Sequence, residues 1–270
     1  MNNDLNAQTR SNALLSMEGV AKQFSGRDRQ VVALQNTDLE IFAGEFITVV
    51  GPSGCGKSTL LNLIAGLMAP SEGTVRFKGK PVVGVDRSIG YITQQDNLFP
   101  WLTLRDNVAF PLELVGVPEK ERHDRAHSWL ERVGLAGFEK AYPHELSGGM
   151  RQRGNIVRTL IYEPSIILMD EPFGPLDAQT RISLQETLLS IWESTRSTVV
   201  FITHDLTEAI ALGDRVILMS ARPGRIVRDD KVEISRPRDV FFIQSDPQFR
   251  RLYDEIWQDL AAQVHEHANH

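Results

Sequence analysis

Short runs of consecutive apolar residues, rich in Val and Ile, recur along the chain. The first covers Phe46 to Val50, and later ones cover Ser165 to Met169, Thr198 to Thr203 and Arg215 to Met219. Continuous apolar runs of this length are typical of strands that are covered on both faces. Helical patterns lie between the runs, so the sequence predicts an α/β fold in which helices cover a parallel sheet.

Two further parts of the chain have different patterns. Residues Leu15 to about Glu45 contain short apolar runs around the charged segment Ser25 to Arg29, and Thr74 to Val83 contains a second such piece. Both predict antiparallel strands. From about residue 95 to 160 a helical pattern replaces the strand pattern, with one helix predicted from Glu119 to Val133. We therefore expect an antiparallel β-subdomain and an inserted helical subdomain beside the parallel sheet.

The end of the chain has the spacing of an amphipathic helix. Asp246 is a helix-capping residue type, and Pro247 suits the first helical position. The apolar residues then follow at helical spacing: Phe249, Leu252, Tyr253, Ile256, Trp257, Leu260 and Val264. We expect this tail helix to dock on its own domain. Binding to a partner or to a membrane surface are the alternatives, and acids on its polar face disfavour the membrane.

Composition narrows the classes of partner. The 270 residues include 29 Lys and Arg against 35 Asp and Glu, which gives a net charge of −6 and disfavours nucleic acid. Residues 1–14 are polar and expected to be flexible, without the apolar segment of a secretory signal. No run approaches the ~18 apolar residues that cross a bilayer. A single cysteine, Cys55, excludes a disulfide framework. We expect an intracellular chain that does not itself span a membrane.

A glycine-rich segment, here called the phosphate loop, follows the first apolar run and opens a helix. It fits the pattern GxxxxGK[ST] and consists of Gly51, Pro52, Ser53, Gly54, Cys55, Gly56, Lys57, Ser58 and Thr59. Its glycines let backbone amides point at phosphate oxygens, and the helix N-terminus adds a positive dipole end. Lys57 can reach the β- and γ-phosphates, and the Ser58 hydroxyl can bind Mg²⁺. The segment predicts a nucleoside triphosphate site.

Two acids follow the apolar run that ends at Met169. Asp170, at the end of this strand, is predicted to lie beside the phosphate loop, where its carboxylate can hold Mg²⁺ through the water shell of the ion. Glu171 is then predicted to point toward the γ-phosphate, where a carboxylate can polarise the attacking water. We predict Asp170 as a metal ligand and Glu171 as the catalytic base.

A second turn suited to anions is the segment Leu146 to Arg153, here called the signature segment. Its sequence is LSGGMRQR, in which Ser147 is an N-capping residue type and Gly148 and Gly149 leave their amides bare at a helix start. One chain with two phosphate-binding elements but one complete phosphate loop suggests a head-to-tail pair. The signature segment of each chain would then cover the nucleotide bound by the other.

The phosphate loop, the signature segment, ILMDEP from Ile167 and the triplet from Thr203 to Asp205 together closely resemble an ATP-binding-cassette (ABC) ATPase subunit. The resemblance spans about Leu15 to Ile226. It implies a P-loop NTPase (RecA-like) core over residues 15–230, with the helical subdomain at about 95–160 and a helical tail over residues 231–270. ATP and Mg²⁺ are the implied cofactors, and the implied activity is ATP hydrolysis that powers transport.

The resemblance also implies roles for single residues. His204 matches a histidine that contacts the γ-phosphate, so the catalytic residues would be Glu171, His204 and Lys57. Gln94, six residues before Pro100, matches a glutamine that links nucleotide to transporter, and it joins Ser58 and Asp170 as a metal ligand. Outside the phosphate loop, the implied nucleotide-binding residues are Phe24, which would stack on adenine, Gln94, Ser147, Gly148, Gly149, Gln152 and Asp177, at the end of a loop that crosses the dimer.

In the implied mechanism, ATP joins two chains because its γ-phosphate meets Lys57 of one chain and Ser147 and Gly149 of the other. Hydrolysis removes the shared charge and the dimer opens. The second chain would be another copy or a related ATPase. Gln94 lies where the phosphate state meets the helical insert, so opening and closing can be passed to a partner.

The partner implied by the resemblance is a transmembrane permease at the cytoplasmic face of the membrane. The apolar segment Leu98 to Leu102 either packs in the core or forms a groove for a short permease helix. Three segments, Phe99 to Trp101, Ala221 to Ile226 and Ser245 to Phe249, are most similar to importer ATPases of the nitrate/sulfonate/taurine type. Bicarbonate importers belong to the same group, and their solutes are chosen by an external binding protein and the permease.

Two other functions remain open at this stage. A soluble ABC ATPase acting on nucleic acid or ribosomes is the first, although such proteins usually carry long coiled coils or two cassettes, which this chain lacks. A small-molecule kinase is the second, and it leaves the signature segment unexplained. A neighbouring gene for a multi-spanning membrane protein would favour the importer.

Four details depart from the pattern or add to it. Phe24 replaces the commoner Tyr or Trp, and Asn155 follows the signature segment where small or aliphatic residues are usual. Asn155 shares a helix face with Gln152 and Thr159, so we expect solvent to cover it. The helix N-terminus should lower the pKa of the Cys55 thiol, although a small residue that simply fits is favoured over redox control. The terminal His265, His267 and His270 are expected to be solvated rather than metal-binding.

Overall fold

The computed structural model describes residues 13–25 and 30–268, so residues 26–29 of the predicted charged turn and the terminal His270 lie outside the described residues. The described strands fall into a six-stranded sheet and a four-stranded sheet. In chain order they are β1 (Leu15–Ser25), β2 (Gln30–Ile41), β3 (Phe46–Val50), β4 (Glu72–Phe77), β5 (Lys80–Pro81), β6 (Ile89–Ile92), β7 (Ile166–Asp170), β8 (Thr198–Ile202), β9 (Arg215–Met219) and β10 (Ile226–Lys231).

The α-helices lie between these strands and at the end of the chain. They are α1 (Lys57–Ile64), α2 (Leu104–Leu114), α3 (Glu119–Arg132), α4 (Gly148–Leu160), α5 (Ala178–Thr195), α6 (Leu206–Leu212) and α7 (Pro247–Ala268). Short 3₁₀ turns cover Pro143–Glu145 and Ile243–Ser245. None of the described helices is long and apolar enough to cross a membrane.

The large sheet has the strand order β10-β9-β3-β8-β7-β6. All neighbours in it are parallel except β10, which pairs with β9 in the antiparallel direction. The predicted α/β fold is therefore confirmed, and the apolar runs form β3, β7, β8 and β9. The short strand β6 and the strand β10 were not predicted. They lie at the edges of the sheet, and β10 alternates half-buried and exposed residues instead of forming an apolar run.

Both faces of the large sheet are covered, as the unbroken apolar runs require. In β3, Phe46 and Val50 point into a core shared with the helices α2 to α7, whereas Ile47 and Val49 point into a second core. The second core also contains α1 and the inner face of the small sheet, which has the order β2-β1-β4-β5 and is antiparallel. The carboxyl ends of the parallel strands, where α/β proteins place their ligands, thus lie on a rigid scaffold.

The helical region from α2 to α4 is held by a close helix–helix contact. Gly154 on α4 faces Leu104 on α2, and a Cβ atom added to Gly154 would lie 2.6 Å from the Leu104 Cδ1 atom. A glycine therefore lets the two helices approach closely. The expectation that solvent covers Asn155 was wrong, since Asn155 is 3% exposed and its face of α4, with Gln152 and Thr159, is buried. The Arg158 guanidinium donates to the Asn155 Oδ1 atom at 3.1 Å, so a polar contact inside the fold replaces water.

The tail helix α7 begins at Pro247, and the Asp246 carboxylate accepts from the amide of Gln248 at 2.7 Å. Its side chains are described as far as Gln263. Phe249, Ile256 and Leu260 are buried in the core that contains α6. The helix thus packs its apolar face on its own chain, whereas Trp257 remains half exposed at its surface.

Candidate functional site

The phosphate loop connects β3 to α1 and bounds a cavity, here called the phosphate-loop cavity. Gly56, the N-cap of α1, has a φ of 108°, and an added Cβ atom would lie 2.8 Å from the Ala33 carbonyl oxygen. Only glycine therefore fits where the loop passes β2. The residues that line this cavity are Phe24, Val31, Ala33, Ser53, Gly54, Gly56, Lys57, Ser58, Thr59, Glu171 and Arg222.

Lys57 is fixed by the loop that it serves. Its ammonium donates to the carbonyl oxygens of Gly51 at 2.8 Å and Pro52 at 3.0 Å, and the residue is 6% exposed. Gly51 and Pro52 thus hold the lysine, whereas Ser53, Ser58 and Thr59 line the cavity itself. The ammonium also lies 4.0 Å from the Cys55 Sγ atom, which is only a weak acceptor. A buried ammonium next to a polar cavity is suited to bind a phosphate oxygen.

Cys55 does not behave as its place near a helix N-terminus predicted. Burial raises the pKa of the Cys55 thiol, and the charge of Lys57 offsets this effect only in part. The residue is 1% exposed. The expectation of a lowered pKa was wrong because desolvation outweighs the nearby positive groups. A buried neutral thiol fits the packing role.

The part of the phosphate-loop cavity next to β1 and β2 is lined by apolar side chains. Phe24 pairs with Val31 across β1 and β2, and both line the cavity with Ala33. The Phe24 ring is partly exposed, and the Lys22 ammonium lies 5.4 Å from its centroid. A flat, accessible ring beside two small aliphatic side chains can stack on a nucleobase.

Ser58 and Asp170 form an oxygen-rich pair at the end of β7. Burial raises the pKa of the Asp170 carboxyl, while the nearby Ser58 and Tyr91 hydroxyls and the charge of Lys57 oppose that rise. Burial and the Asp170 charge also raise the pKa of the Tyr91 hydroxyl, to about 12. Tyr91, which the motifs did not single out, thus keeps its proton, and its hydroxyl donates to the Asn62 Oδ1 atom at 3.2 Å. A half-buried carboxylate beside a hydroxyl is the kind of donor set that Mg²⁺ prefers.

Glu171 has a strained backbone and a defined partner. Its φ is 46°, in the left-handed region that a non-glycine residue seldom adopts, and its amide donates to the Ile202 carbonyl at 3.0 Å. The carboxylate lines the phosphate-loop cavity, and its Oε2 atom lies 3.0 Å from the His204 Nδ1 atom. The exposed His204 ring can therefore orient the Glu171 carboxylate or share a proton with it.

The signature segment borders a second cavity, here called the signature cavity. Ser147 caps α4, where its hydroxyl accepts from the Met150 amide at 3.3 Å, and both Ser147 and Gly148 are exposed. Gly149 is buried, and an added Cβ atom would lie 2.6 Å from the Thr180 side chain on α5. The residues that line the cavity are Gln94, Gln95, Asp96, Asn97, Gly148, Arg151, Gln152, Pro172, Pro175 and Leu176.

Gln94 and Asp177 lie outside the phosphate-loop cavity. Gln94 lines the signature cavity, while Ser58, the metal ligand predicted with it, lines the phosphate-loop cavity. Asp177 is not among the described residues that line either cavity. It is the N-cap of α5, where the Thr180 amide donates to its Oδ1 atom at 3.0 Å and the Thr180 hydroxyl to its Oδ2 atom at 2.7 Å. These hydrogen bonds lower the pKa of the Asp177 carboxyl.

The loop after Gln94 is tied to α4 by two arginines that the motifs did not single out. The Arg151 guanidinium lies 2.9 Å from the Asp96 carboxylate and also donates to the Leu146 carbonyl at 2.6 Å. The Arg158 guanidinium donates to the Asn97 carbonyl at 2.8 Å. The Gln94 loop and the signature segment therefore share direct side-chain contacts within one chain.

The arrangement of a phosphate loop, a Glu–His pair and a separate signature segment agrees with the comparison to known proteins. The model of the family described as ABC transporter matches residues 34–174. The chain belongs to the ABC transporter family. An uncharacterized ABC transporter ATP-binding protein of Methanocaldococcus jannaschii is 50% identical over 236 residues, which cover 87% of this chain and 88% of that protein.

Other members of the ABC transporter family share most of their length with the chain. The aliphatic sulfonates import ATP-binding protein SsuB of Bacillus cereus is 47% identical, over 83% of this chain and 88% of that protein. The nitrate import ATP-binding protein NrtD of Synechocystis sp. is 45% identical, over 90% and 93%. A dimeric ABC cassette solved with ADP and phosphate has a TM-score of 0.73 at 35% identity, covering 82% of this chain and all of that one. The chain is thus an ABC ATPase that is coupled to transport.

Within this ABC ATPase, the segment Leu98 to Leu102 is buried at its first residue and exposed at Trp101. Leu98 is buried in the core with Leu104. Trp101 is 69% exposed and stacks on Phe99 at 5.3 Å between ring centroids, and Phe99 in turn lies edge-on to Phe110 at 4.9 Å. One end of the segment therefore anchors the loop, and the other presents an aromatic surface next to α2.

Proposed function

We propose that this chain is the ATP-binding and hydrolysing subunit of an importer for a small solute of the nitrate or sulfonate kind. The observation that carries the proposal is the signature segment, whose exposed Ser147 and Gly148 start a helix beside the cavity of Gln94. Such a helix start binds anions, yet the phosphate loop of the same chain lines a different cavity. Two relatives named as sulfonate and nitrate import proteins support the choice of solute class.

A second ATPase subunit, either a copy of this chain or a related chain, completes the site in this proposal. Its signature segment covers the γ-phosphate that Lys57 binds from the other side. The structural relative solved as a dimer supports this arrangement. Because the two subunits share the charge of one phosphate, cleavage of that phosphate weakens their contact and lets them separate.

Hydrolysis is assigned to Glu171, whose carboxylate lines the phosphate-loop cavity. It accepts a proton from the attacking water, and His204, 3.0 Å away, holds the carboxylate in position. Ser58 and Asp170 would hold Mg²⁺, because the half-buried Asp170 carboxylate carries a charge that a divalent cation neutralises. When bound, the ion offsets charge on the β- and γ-phosphates, and Lys57 adds a second positive group.

The permease is proposed to contact the exposed aromatic surface of Trp101 at the cytoplasmic face of the membrane. Trp101 lies in the same loop as Gln94, and this loop is tied to the signature segment by Asp96 and Arg151. A short permease helix seated on Trp101 and α2 would therefore move with the signature segment when the dimer opens. An external solute-binding protein acts through the permease and does not touch this chain.

The proposal is tested by purifying the tagged chain from membranes of its own organism and identifying the proteins that accompany it. We expect a multi-spanning permease to co-purify, and Trp101→Ala to release it. Phe138→Ala is the matched control, since Phe138 is an aromatic residue exposed elsewhere on the helical region. Co-purification of ribosomes or nucleic acid instead of a permease would contradict import, and ATP-dependent labelling of a small acceptor would indicate a kinase.

A further inference from the structure

The loop Ser220 to Arg225, between β9 and β10, touches both walls of the phosphate-loop cavity. The Gly224 amide donates to the Ala33 carbonyl at 3.0 Å, and the Gln35 amide donates to the Gly224 carbonyl at 3.0 Å. A Cβ atom added to Gly224 would collide with the Cys55 carbonyl oxygen. The loop is therefore wedged between β2 and the phosphate loop.

Hydrogen bonds within the loop fix its shape. The Ser220 hydroxyl lies 3.1 Å from the Pro223 carbonyl and 3.0 Å from the Arg225 amide. The Ala221 amide donates to the Gln263 side chain on α7 at 3.2 Å. The tail helix thus also supports the loop, and the residue between these anchors, Arg222, projects from a rigid base.

Arg222 places a positive charge at the rim of the phosphate-loop cavity. Its Nη2 and Nε atoms donate to the Gly54 carbonyl at 3.0 Å and 3.3 Å, and the side chain lines the cavity with Lys57 and Ser58. These bonds leave other guanidinium N–H groups available. Among the side chains that the structure describes, those of residues 13–25 and 30–263, no carboxylate lies within ion-pair distance of Arg222, unlike Arg215, Arg228 and Arg236.

We propose that Arg222 is an additional nucleotide-binding residue, whose guanidinium contacts the phosphates of the bound nucleotide from the rim of the cavity. The proposal rests on the assignment of this cavity as the ATP site. A planar guanidinium that is already held by one carbonyl loses little side-chain freedom when it binds a phosphate oxygen. Lys57 supplies the buried cation of the site and Arg222 supplies an exposed one.

The test measures equilibrium binding of fluorescent ATP and ADP to purified variants, together with steady-state turnover. We expect Arg222→Gln to weaken ATP binding about three- to ten-fold at moderate salt, since the contact is solvent-exposed and screened. The gap to the parent should narrow at high salt, kcat at saturating ATP should stay within about two-fold, and Arg222→Lys should recover part of the affinity. Arg225→Gln, an exposed arginine of the same loop, is the matched control and should bind ATP like the parent.

Two results would overturn the proposal. In one, Arg222→Gln binds ATP as tightly as the parent and Arg225→Gln. In the other, it loses thermal stability and kcat together with affinity, at all salt concentrations and without rescue by lysine, which would mean that Arg222 only braces Gly54. If the parent itself fails to bind ATP, or Lys57→Ala binds it equally well, the assignment of the cavity fails instead.

Discussion

The two cavities of this ABC ATPase are built in different ways. In the phosphate-loop cavity, Lys57 is buried and held by the carbonyls of its own loop, and glycine lets that loop pass β2. Beside the signature cavity, Ser147 and Gly148 are exposed at the start of α4, and Gly148 lines the cavity. The first cavity therefore holds its cation with groups of one chain, whereas the second has an exposed helix start, which we propose is covered by a second subunit.

The two cavities also differ in the contacts that connect them to the rest of the chain. The phosphate loop continues directly from a central strand of the sheet, so it is held by backbone hydrogen bonds. The signature segment begins a helix that is held by the packing of Gly154 on Leu104 and by the Asp96–Arg151 ion pair. Side-chain ties of this kind are weak enough to change during a catalytic cycle. The difference suggests a fixed binding half and a movable covering half.

The largest effect is expected at the fixed half. Glu171→Gln removes the base but keeps the size of the side chain and its backbone conformation, so ATP binding should be preserved. Loss of a positioned base should reduce turnover by about 100- to 10,000-fold, measured as phosphate release at saturating ATP. Glu186→Gln, which makes the same charge change on the exposed face of α5, is the control and should hydrolyse ATP like the parent. Turnover of Glu171→Gln at the parent rate would exclude Glu171 as the base.

The next effect is expected at the covering half. Ser147→Arg places a long cation at the exposed start of α4, where a second subunit is proposed to approach. We expect the variant monomer to bind ATP normally, while ATP-induced dimerisation is lost and turnover falls by at least about ten-fold. Sedimentation with and without ATP measures the dimer, and Ser190→Arg, an exposed serine on α5, is the control. A sedimentation shift equal to that of the parent would contradict the shared site.

A smaller effect is expected from the helix contact that carries the signature segment. Gly154→Ala forces the added methyl group against the fully buried Leu104, which overpacks the core by about 1–3 kcal/mol, and the better helix propensity of Ala returns up to about 1 kcal/mol. We expect a net loss of about 1 kcal/mol in the free energy of unfolding, measured by urea denaturation. Adding Leu104→Ala, which removes the clashing atom, should make the pair less destabilising than the sum of the single changes.

The sequence predicted those parts whose signals are local. Four apolar runs became β3, β7, β8 and β9, and the capping pair Asp246 and Pro247 marked the start of α7. The glycine pattern of the phosphate loop likewise predicted a turn between a strand and a helix. In each case the physical cause, two-sided burial or a helix start, acts within a few neighbouring residues and leaves a pattern in the sequence.

The features that the sequence did not predict depend on tertiary contacts. Asn155 was expected in solvent because its polar neighbours on α4 suggested an exposed face, but that face is buried inside the fold, where Thr159 lies close to Gly90 of β6. Cys55 was expected to have a lowered pKa, but burial raises it. The contacts of Tyr91, Asp96 and Arg222 join segments that are far apart in the chain. The residues that form these contacts are not separated by a helix or strand period, so the sequence pattern does not predict the contacts.

The smallest effect tests whether the Asp96–Arg151 ion pair ties the signature segment to the Gln94 loop. Both side chains are about one-third exposed, so the pair should contribute no more than about 1 kcal/mol. Asp96→Asn keeps the size of the side chain but removes its charge. We expect turnover to fall by no more than about five-fold, with unchanged ATP affinity of the monomer, because the change weakens only the tie between the Gln94 loop and α4.

Further variants distinguish the loss of the Asp96–Arg151 ion pair from a general effect of the change in charge. Asp124→Asn, which removes the carboxylate of an exposed ion pair with Lys120 on α3, is the matched control and should not change turnover. Arg151→Gln should reduce turnover as well, and the double variant with Asp96→Asn should be no worse than the poorer single variant. Fully additive losses would mean that the two residues act independently, and the signature segment would then be held on the Gln94 loop by the contact of Arg158 with Asn97 instead.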